Sequence, residues 1–173
     1  MPIVPAKWMQ PCEMLRIVCH WSAGGHKAST LDKEHYHILI EDDGKLIQGD
    51  HTIDDNVTTG DDDYAMHTRM LNTKTIGIAV CAMAGAQESP FKPGAAPMLE
   101  LQWNTMAQVA AELAKFYKIQ VDDRHILGHG EVQKILGITQ RGKWDPMVLP
   151  WKTGLNKKQV GDAFRDKVRS FMT

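Results

Sequence analysis

Ile17-Val18-Cys19-His20-Trp21-Ser22 decides the fold. From Leu15 to Cys19 the run is dense in β-branched and apolar residues without clean alternation, which predicts a strand buried on both faces with His20 at its exit. Thr75 to Met83 reads the same way. Between them, Tyr36-His37-Ile38-Leu39-Ile40, a turn at Asp43-Gly44 and Lys45-Leu46-Ile47-Gln48 make a hairpin. Arg124 to Leu127 adds a short strand. Leu99, Trp103, Met106, Ala110, Leu113 and Tyr117 recur at helical spacing, as do Val160, Phe164, Val168 and Phe171, the latter behind an Asn156 cap. Glu131 to Leu136 reads as helical, and Ser29 or Thr30 starts a short helical turn. The order of elements predicts an α/β fold: a central mixed β-sheet flanked by α-helices, in one domain over 1–173, with a core at 15–151 and a C-terminal helix at 156–172.

A chain of 173 residues is long enough to bury roughly 70% of its unfolded surface in one domain. Its 43% hydrophobic and 24% charged residues describe an ordinary globular chain, expected to be a monomer. A net charge of −1 without a basic block argues against a nucleic-acid partner. No stretch approaches the ~20 apolar residues needed to insert in a membrane, and the opening Met1-Pro2-Ile3-Val4-Pro5-Ala6-Lys7 lacks the form of a signal peptide, so synthesis is expected to leave the chain in the cytoplasm. Cys12, Cys19 and Cys81 lack knuckle spacing and read as free core thiols. The acid-rich and threonine-rich segment from Asp50 to Met70 shows no apolar period and reads as a surface loop. Its Asp61-Asp62-Asp63 run lacks the Gly and distal Glu of a calcium loop.

Eight histidines are present, and context separates two of them. His20 and His129 each follow a short apolar run and precede small or polar residues, an arrangement that brings a side chain to the rim of a sheet, where clefts form. Asp145, in Lys143-Trp144-Asp145-Pro146, lies in a comparable place. Two imidazoles and one carboxylate suffice to hold a zinc ion with a fourth position open. Glu131 reads as a charge favoured by a helix N-terminus. Trp144 and Trp151 either flank a groove or pack against the terminal helix.

In order along the chain, His20-Trp21-Ser22, Tyr36 to Ile40 before Asp43-Gly44, His67 with Asn72 and Thr75 to Val80, Gly128-His129-Gly130-Glu131-Val132 and Lys143-x-Asp145-Pro146 resemble the type 2 N-acetylmuramoyl-L-alanine amidases. That family includes phage lysozyme-type amidases, bacterial recycling amidases and peptidoglycan recognition proteins, and the likeness runs from about Leu15 to Trp151. It implies a zinc (Zn2+) amidase that cuts the bond between N-acetylmuramic acid and L-alanine in peptidoglycan or muropeptides. His20, His129 and Asp145 match the metal ligands, Tyr36 and Lys143 the catalytic positions, and His67 a substrate-lining position. Zinc held by neutral imidazoles and one carboxylate keeps positive charge and lowers the pKa of water toward ~7. The Lys143 ammonium and the Tyr36 hydroxyl would hold the developing oxyanion.

Departures from the family are a short His20-to-Tyr36 segment, a long His129-to-Asp145 interval, and Met147 where glycine commonly follows Asp-Pro. Two other readings stand beside the amidase. One is a module that binds peptidoglycan without cutting it, against which the presence of Asp145 counts. The other is an unrelated α/β interaction protein with structural histidines. Within the amidase reading, a phage-type endolysin released to the cell wall is the expected setting, with a cytoplasmic recycling enzyme as the alternative.

Overall fold

Five strands form one sheet in the order β3-β2-β4-β1-β5: β1 (Arg16–Trp21), β2 (Ile38–Ile40), β3 (Leu46–Gln48), β4 (Thr75–Val80) and β5 (Ile126–Gly128). The computed structural model describes residues 1–173. β1 runs parallel to β4 and β5, β2 runs parallel to β4, and only the hairpin partner β3 is antiparallel. The sheet is therefore mixed, as predicted. His20 is the penultimate residue of β1 rather than the first beyond it, because pairing with β4 continues through His20↔Ala79 and Trp21↔Val80.

Four helices cover the sheet: α1 (Thr30–His35), α2 (Glu100–Tyr117), α3 (His129–Leu136) and α4 (Lys157–Ser170). Side chains alternate across a strand, so each strand contributes to two layers. Ile17, Cys19, Trp21, Ile38, Ile40, Ile76, Ile78 and Val80 join the principal core with Trp103, Met106, Val160 and Phe164 of α2 and α4. Val18 turns the other way, toward Leu71 and Val132. His20, two residues on, shares that second face.

Local chemistry sets the helix starts. Ser29 and Asp32 bond reciprocally at 3.1 and 2.9 Å before α1, and Asn156 and Gln159 do so at 2.9 Å before α4. The short His20-to-Tyr36 segment accommodates only the six-residue α1. The α4 stripe ends at Val168, since Phe171 lies past the last turn and is 38% exposed. Arg165, between the stripe residues, is buried instead. Cys19 and Cys81 are buried free thiols, whereas Cys12 is half-buried.

The Asp50-to-Met70 segment departs from its expected surface character. Asp61, Asp62 and Asp63 are exposed, but Ile53, Asn56, Ala65, His67 and Thr68 are buried. A 3-10 turn at Ile53–Val57 places Asn56 inward. There its amide donates to Ala65 O and Asn72 O, while its oxygen accepts from Ala65 N and from His37 Nε2. These bonds supply every donor and acceptor that a buried amide needs, so the segment forms a fixed wall over the second face of the sheet.

Candidate metal centre

Register brings the two histidines together. Cys19 pairs with Gly128 on adjacent parallel strands, so the next residues, His20 and His129, emerge side by side at the carboxyl ends of β1 and β5, where parallel sheets form their clefts. Their ring centroids are 4.7 Å apart. Asp145 arrives from the loop after α3, tied to α3 by Gly130 N donating to Asp145 O at 2.8 Å. The Asp145 Oδ2 atom lies 3.0 Å from His20 Nδ1 and 3.4 Å from His129 Nδ1.

All three side chains are buried, and their donor atoms lie within 4.8 Å of one another. Two glycines permit the approach. A Cβ on Gly128 would sit 2.1 Å from Met147 Sδ, and one on Gly130 would sit 2.9 Å from Trp144 Cα. Met147, where the resembling family commonly has glycine, therefore fills the space those two glycines leave.

The donor set fits a zinc ion. Burial pushes the His20 imidazole down to about 4 against the opposing pull of Asp145, so near neutrality it is uncharged. Burial alone would raise the Asp145 carboxyl, yet contacts with His129 and His20 outweigh it and hold the group below the usual carboxylate range. Two imidazoles and a carboxylate thus converge on one buried space, a donor set that a cation would satisfy. Tetrahedral ligands about 2.0–2.1 Å from zinc are about 3.3 Å apart, close to both measured contacts.

The centre opens into a cleft of about 730 Å³, bordered by Tyr36, His67, Arg69, Arg141, Lys143 and Trp144 among others. Tyr36 precedes β2 rather than lying in it, and its ring centroid is 5.1 Å from that of His20. Burial, with the Asp145 charge adding to it, raises its phenol well above the usual range, so it stays a donor. Lys143 is exposed at the rim of the cleft. His67 borders the cleft but is only 7% exposed, with its ring nitrogens facing His20, Thr68 and Thr75.

Trp144 stands against Trp21 at 4.6 Å and borders the cleft, whereas Trp151 packs against Trp103. His37 is buried, but on the same face as His67, at a ring-centroid distance of 5.8 Å, because Tyr36 precedes β2 and strand alternation does not reach it. Among the remaining histidines, His26 donates to Pro97 O, His35 to Leu31 O, and His125 and His51 pair with Asp122 and Asp63. Glu131 accepts from Gly128 N at the start of α3, as a helix N-terminal acid should, and also forms a buried ion pair with Arg165 at 3.0 Å. Sequence reasoning missed Arg165 and Gln140. A glycine inside an apolar helical stripe, Gly161, was the available signal for Arg165, because a Cβ there would meet Glu131 Oε1 at 2.0 Å.

The sequence profile described as N-acetylmuramoyl-L-alanine amidase matches residues 10–147. The chain belongs to the N-acetylmuramoyl-L-alanine amidase family. Comparison with curated proteins yields no match. Among solved structures, the fold is shared with Staphylococcus aureus AmiA, described as a hydrolase in complex with its ligand, at TM-score 0.56 and 16% identity over 90% of this chain and 73% of that one. It is also shared with the E. coli amidase AmiD, solved with anhydro-N-acetylmuramic acid-L-Ala-D-gamma-Glu-L-Lys, at TM-score 0.54 and 19% identity over 91% and 60% of the two chains. The Ph2119 endolysin of a Thermus scotoductus bacteriophage gives TM-score 0.50 and 17% identity over 92% and 87%. These likenesses establish the amidase fold, including its mixed sheet and flanking helices. No helix of the chain is long and apolar enough to cross a membrane.

Proposed function

We propose that this chain is a zinc-dependent N-acetylmuramoyl-L-alanine amidase that hydrolyses the amide between N-acetylmuramic acid and L-alanine. The convergence of His20, His129 and Asp145 at the head of an open cleft, in a chain of this family, carries the reading. When bound there, zinc supplies Lewis acidity for polarising an amide carbonyl and acidifying water. His20, His129 and Asp145 hold it. Tyr36 keeps its proton and presents a hydroxyl donor beside His20. Lys143 brings positive charge to the rim, where it holds the oxygen that gains negative charge as the amide carbonyl is attacked; such a donor is worth on the order of 10²–10³ in rate.

The setting that best suits the cleft is wall lysis of the endolysin type. Its border includes the exposed residues Met66, Arg69, Met70, Arg141 and Lys143, an open edge along which a polymer can lie. The test is hydrolysis of purified sacculi and of soluble anhydro-muropeptides by zinc-loaded protein, followed by mass spectrometry. New L-alanine amino termini, lost on chelation and in His129→Ala and restored by zinc in the wild type, are expected, with faster release from sacculi. Undiminished hydrolysis by His129→Ala overturns the metal mechanism, and a tight muropeptide complex without new termini makes the chain a binding module. Preference for soluble fragments moves it to recycling.

A further inference from the structure

We propose that the stretch from Arg69 to Thr75 dictates which ring nitrogen each imidazole turns toward the metal, acting through two hydrogen-bonded relays in which His67 and Gln140 are positioning residues. The inference rests on the reading that His20 and His129 are the ligands. A main-chain carbonyl can only accept a hydrogen bond, so a relay that ends on one has a fixed direction.

The first relay ends on Thr75. His67 Nε2 lies 3.2 Å from Thr75 O, and so must carry the hydrogen. No carboxylate lies against His67, so the ring carries that one hydrogen, and its Nδ1 is an acceptor facing His20 and the Thr68 hydroxyl. His20 Nε2 lies 3.2 Å from that Nδ1. With a cation between His20 Nδ1 and the Asp145 carboxylate, Nε2 keeps the single hydrogen and donates it to His67, which leaves Nδ1 bare for the metal; without a cation, Asp145 Oδ2, 3.0 Å from Nδ1, competes for that hydrogen. Thr68 Oγ1, 2.8 Å from His67 Nδ1 and 3.4 Å from His20 Nε2, offers a parallel route with the same outcome, since its own hydrogen goes to His67.

The second relay ends on Arg69. Gln140 Nε2 donates to Arg69 O at 2.9 Å, which fixes the amide orientation and turns Oε1 toward His129. His129 Nε2 lies 2.8 Å from that Oε1 and must donate to it. His129 Nδ1 is left bare, again facing Asp145. Gln140 is itself held by Gln133, whose side-chain oxygen accepts from Gln140 N at 2.9 Å. His67 is held by Asn72, whose oxygen accepts from His67 N and Thr68 N at 3.1 and 2.8 Å. Gly77 leaves room for its ring, because a Cβ there would lie 2.5 Å from two ring atoms. A buried residue that borders the cleft with both ring nitrogens engaged inside the protein has little left to offer a substrate. His67 is accordingly assigned to the metal rather than to the groove.

The test uses the full chain. In zinc-loaded wild-type protein at pH 7.5, long-range 1H–15N NMR is expected to show His20 and His129 hydrogenated only at Nε2, with slowly exchanging Nε2 hydrogens. Zinc affinity, read by competition with a chromophoric chelator, is expected to fall ~10- to 100-fold in His67→Phe and in Gln140→Leu, the range found for lost partners of metal-bound imidazoles. In Gln140→Leu the slow Nε2 exchange at His129 disappears while that at His20 persists. Gln140→Glu, which still accepts from His129, recovers part of the affinity. A hydrogen on Nδ1 of either imidazole, or affinity within twofold of wild type in folded Gln140→Leu, overturns the proposal. Should His67→Phe fail to fold, Gln140→Leu and the wild-type spectra still decide. If wild type binds no zinc at all, the ligand reading fails, while the His129 Nε2 hydrogen bond, present in metal-free wild type and lost in Gln140→Leu, judges that relay separately.

Discussion

Arg165→Met should be among the most damaging single changes outside the metal centre. Arg165 and Glu131 face each other at 4% and 3% side-chain exposure, with two 3.0 Å bonds linking guanidinium and carboxylate. The same guanidinium donates to Ile126 O at 3.1 Å, and the same carboxylate accepts from Gly128 N at 2.9 Å. One pair thus ties α4 to β5 and to the start of α3. Removing the cation strands a buried carboxylate, for which ~3–5 kcal/mol of destabilisation is usual. At roughly 2–4 °C per kcal/mol for a chain of this size, Tm should drop by about 6–20 °C. Calorimetry or circular dichroism measures it directly. Glu131→Leu combined with Arg165→Met should recover at least half of the loss, since it removes the stranded charge. A single variant that melts within about 2 °C of wild type, well under the loss expected for a broken buried pair, would refute the reasoning.

Two further expectations concern the second face of the sheet. His37 is buried, accepts from Gly77 N at Nδ1 and donates to Asn56, and burial lowers its imidazole from 6.5 to about 4. The unfolded chain takes up a proton below ~6.5 that the folded chain refuses, so its contribution is intact above that pH and falls toward pH 4 by up to ~3 kcal/mol. Urea midpoints at pH 7 and pH 5 should therefore differ more in wild type than in His37→Gln, and equal differences would remove His37 as the cause. Gly130→Ala forces a Cβ to 2.8 Å from Met147 Cγ and 2.9 Å from Trp144 Cα. It should cost ~1–3 kcal/mol and weaken zinc binding together, and unchanged melting and chelator competition would contradict it.

The strands were legible because burial on both faces writes itself as β-branched density: Ile17 to Cys19 and Ile76 to Val80 need no periodicity to be recognised. The hairpin carried its turn in Asp43-Gly44. His20 and His129 stood out because each sits at or beside a strand end, whereas Asp145 lies in a loop between α3 and α4 and was marked by the family resemblance. The wall from Asp50 to Thr75 was not legible. Its buried contacts are side-chain amides satisfying main-chain groups, through Asn56 and Asn72, and such bonds have no repeat along the chain. Gln140 and Arg165 escaped for a related reason, since a buried polar residue is marked by its partner and the partner is distant in sequence. The strand order, which sets His20 beside His129, also came only with the pairing of β1 to β5.

Met147 nests against Gly128 and Gly130, and this has a consequence for recombination among relatives. The glycine-flanked histidine and the Lys-Trp-Asp-Pro-Met segment are two halves of one joint, cut to each other's dimensions. Hybrids whose crossover falls between them would inherit a bulky thioether opposite the wrong floor, or an empty hollow, whereas hybrids that carry both halves from one parent would keep the carboxylate seated.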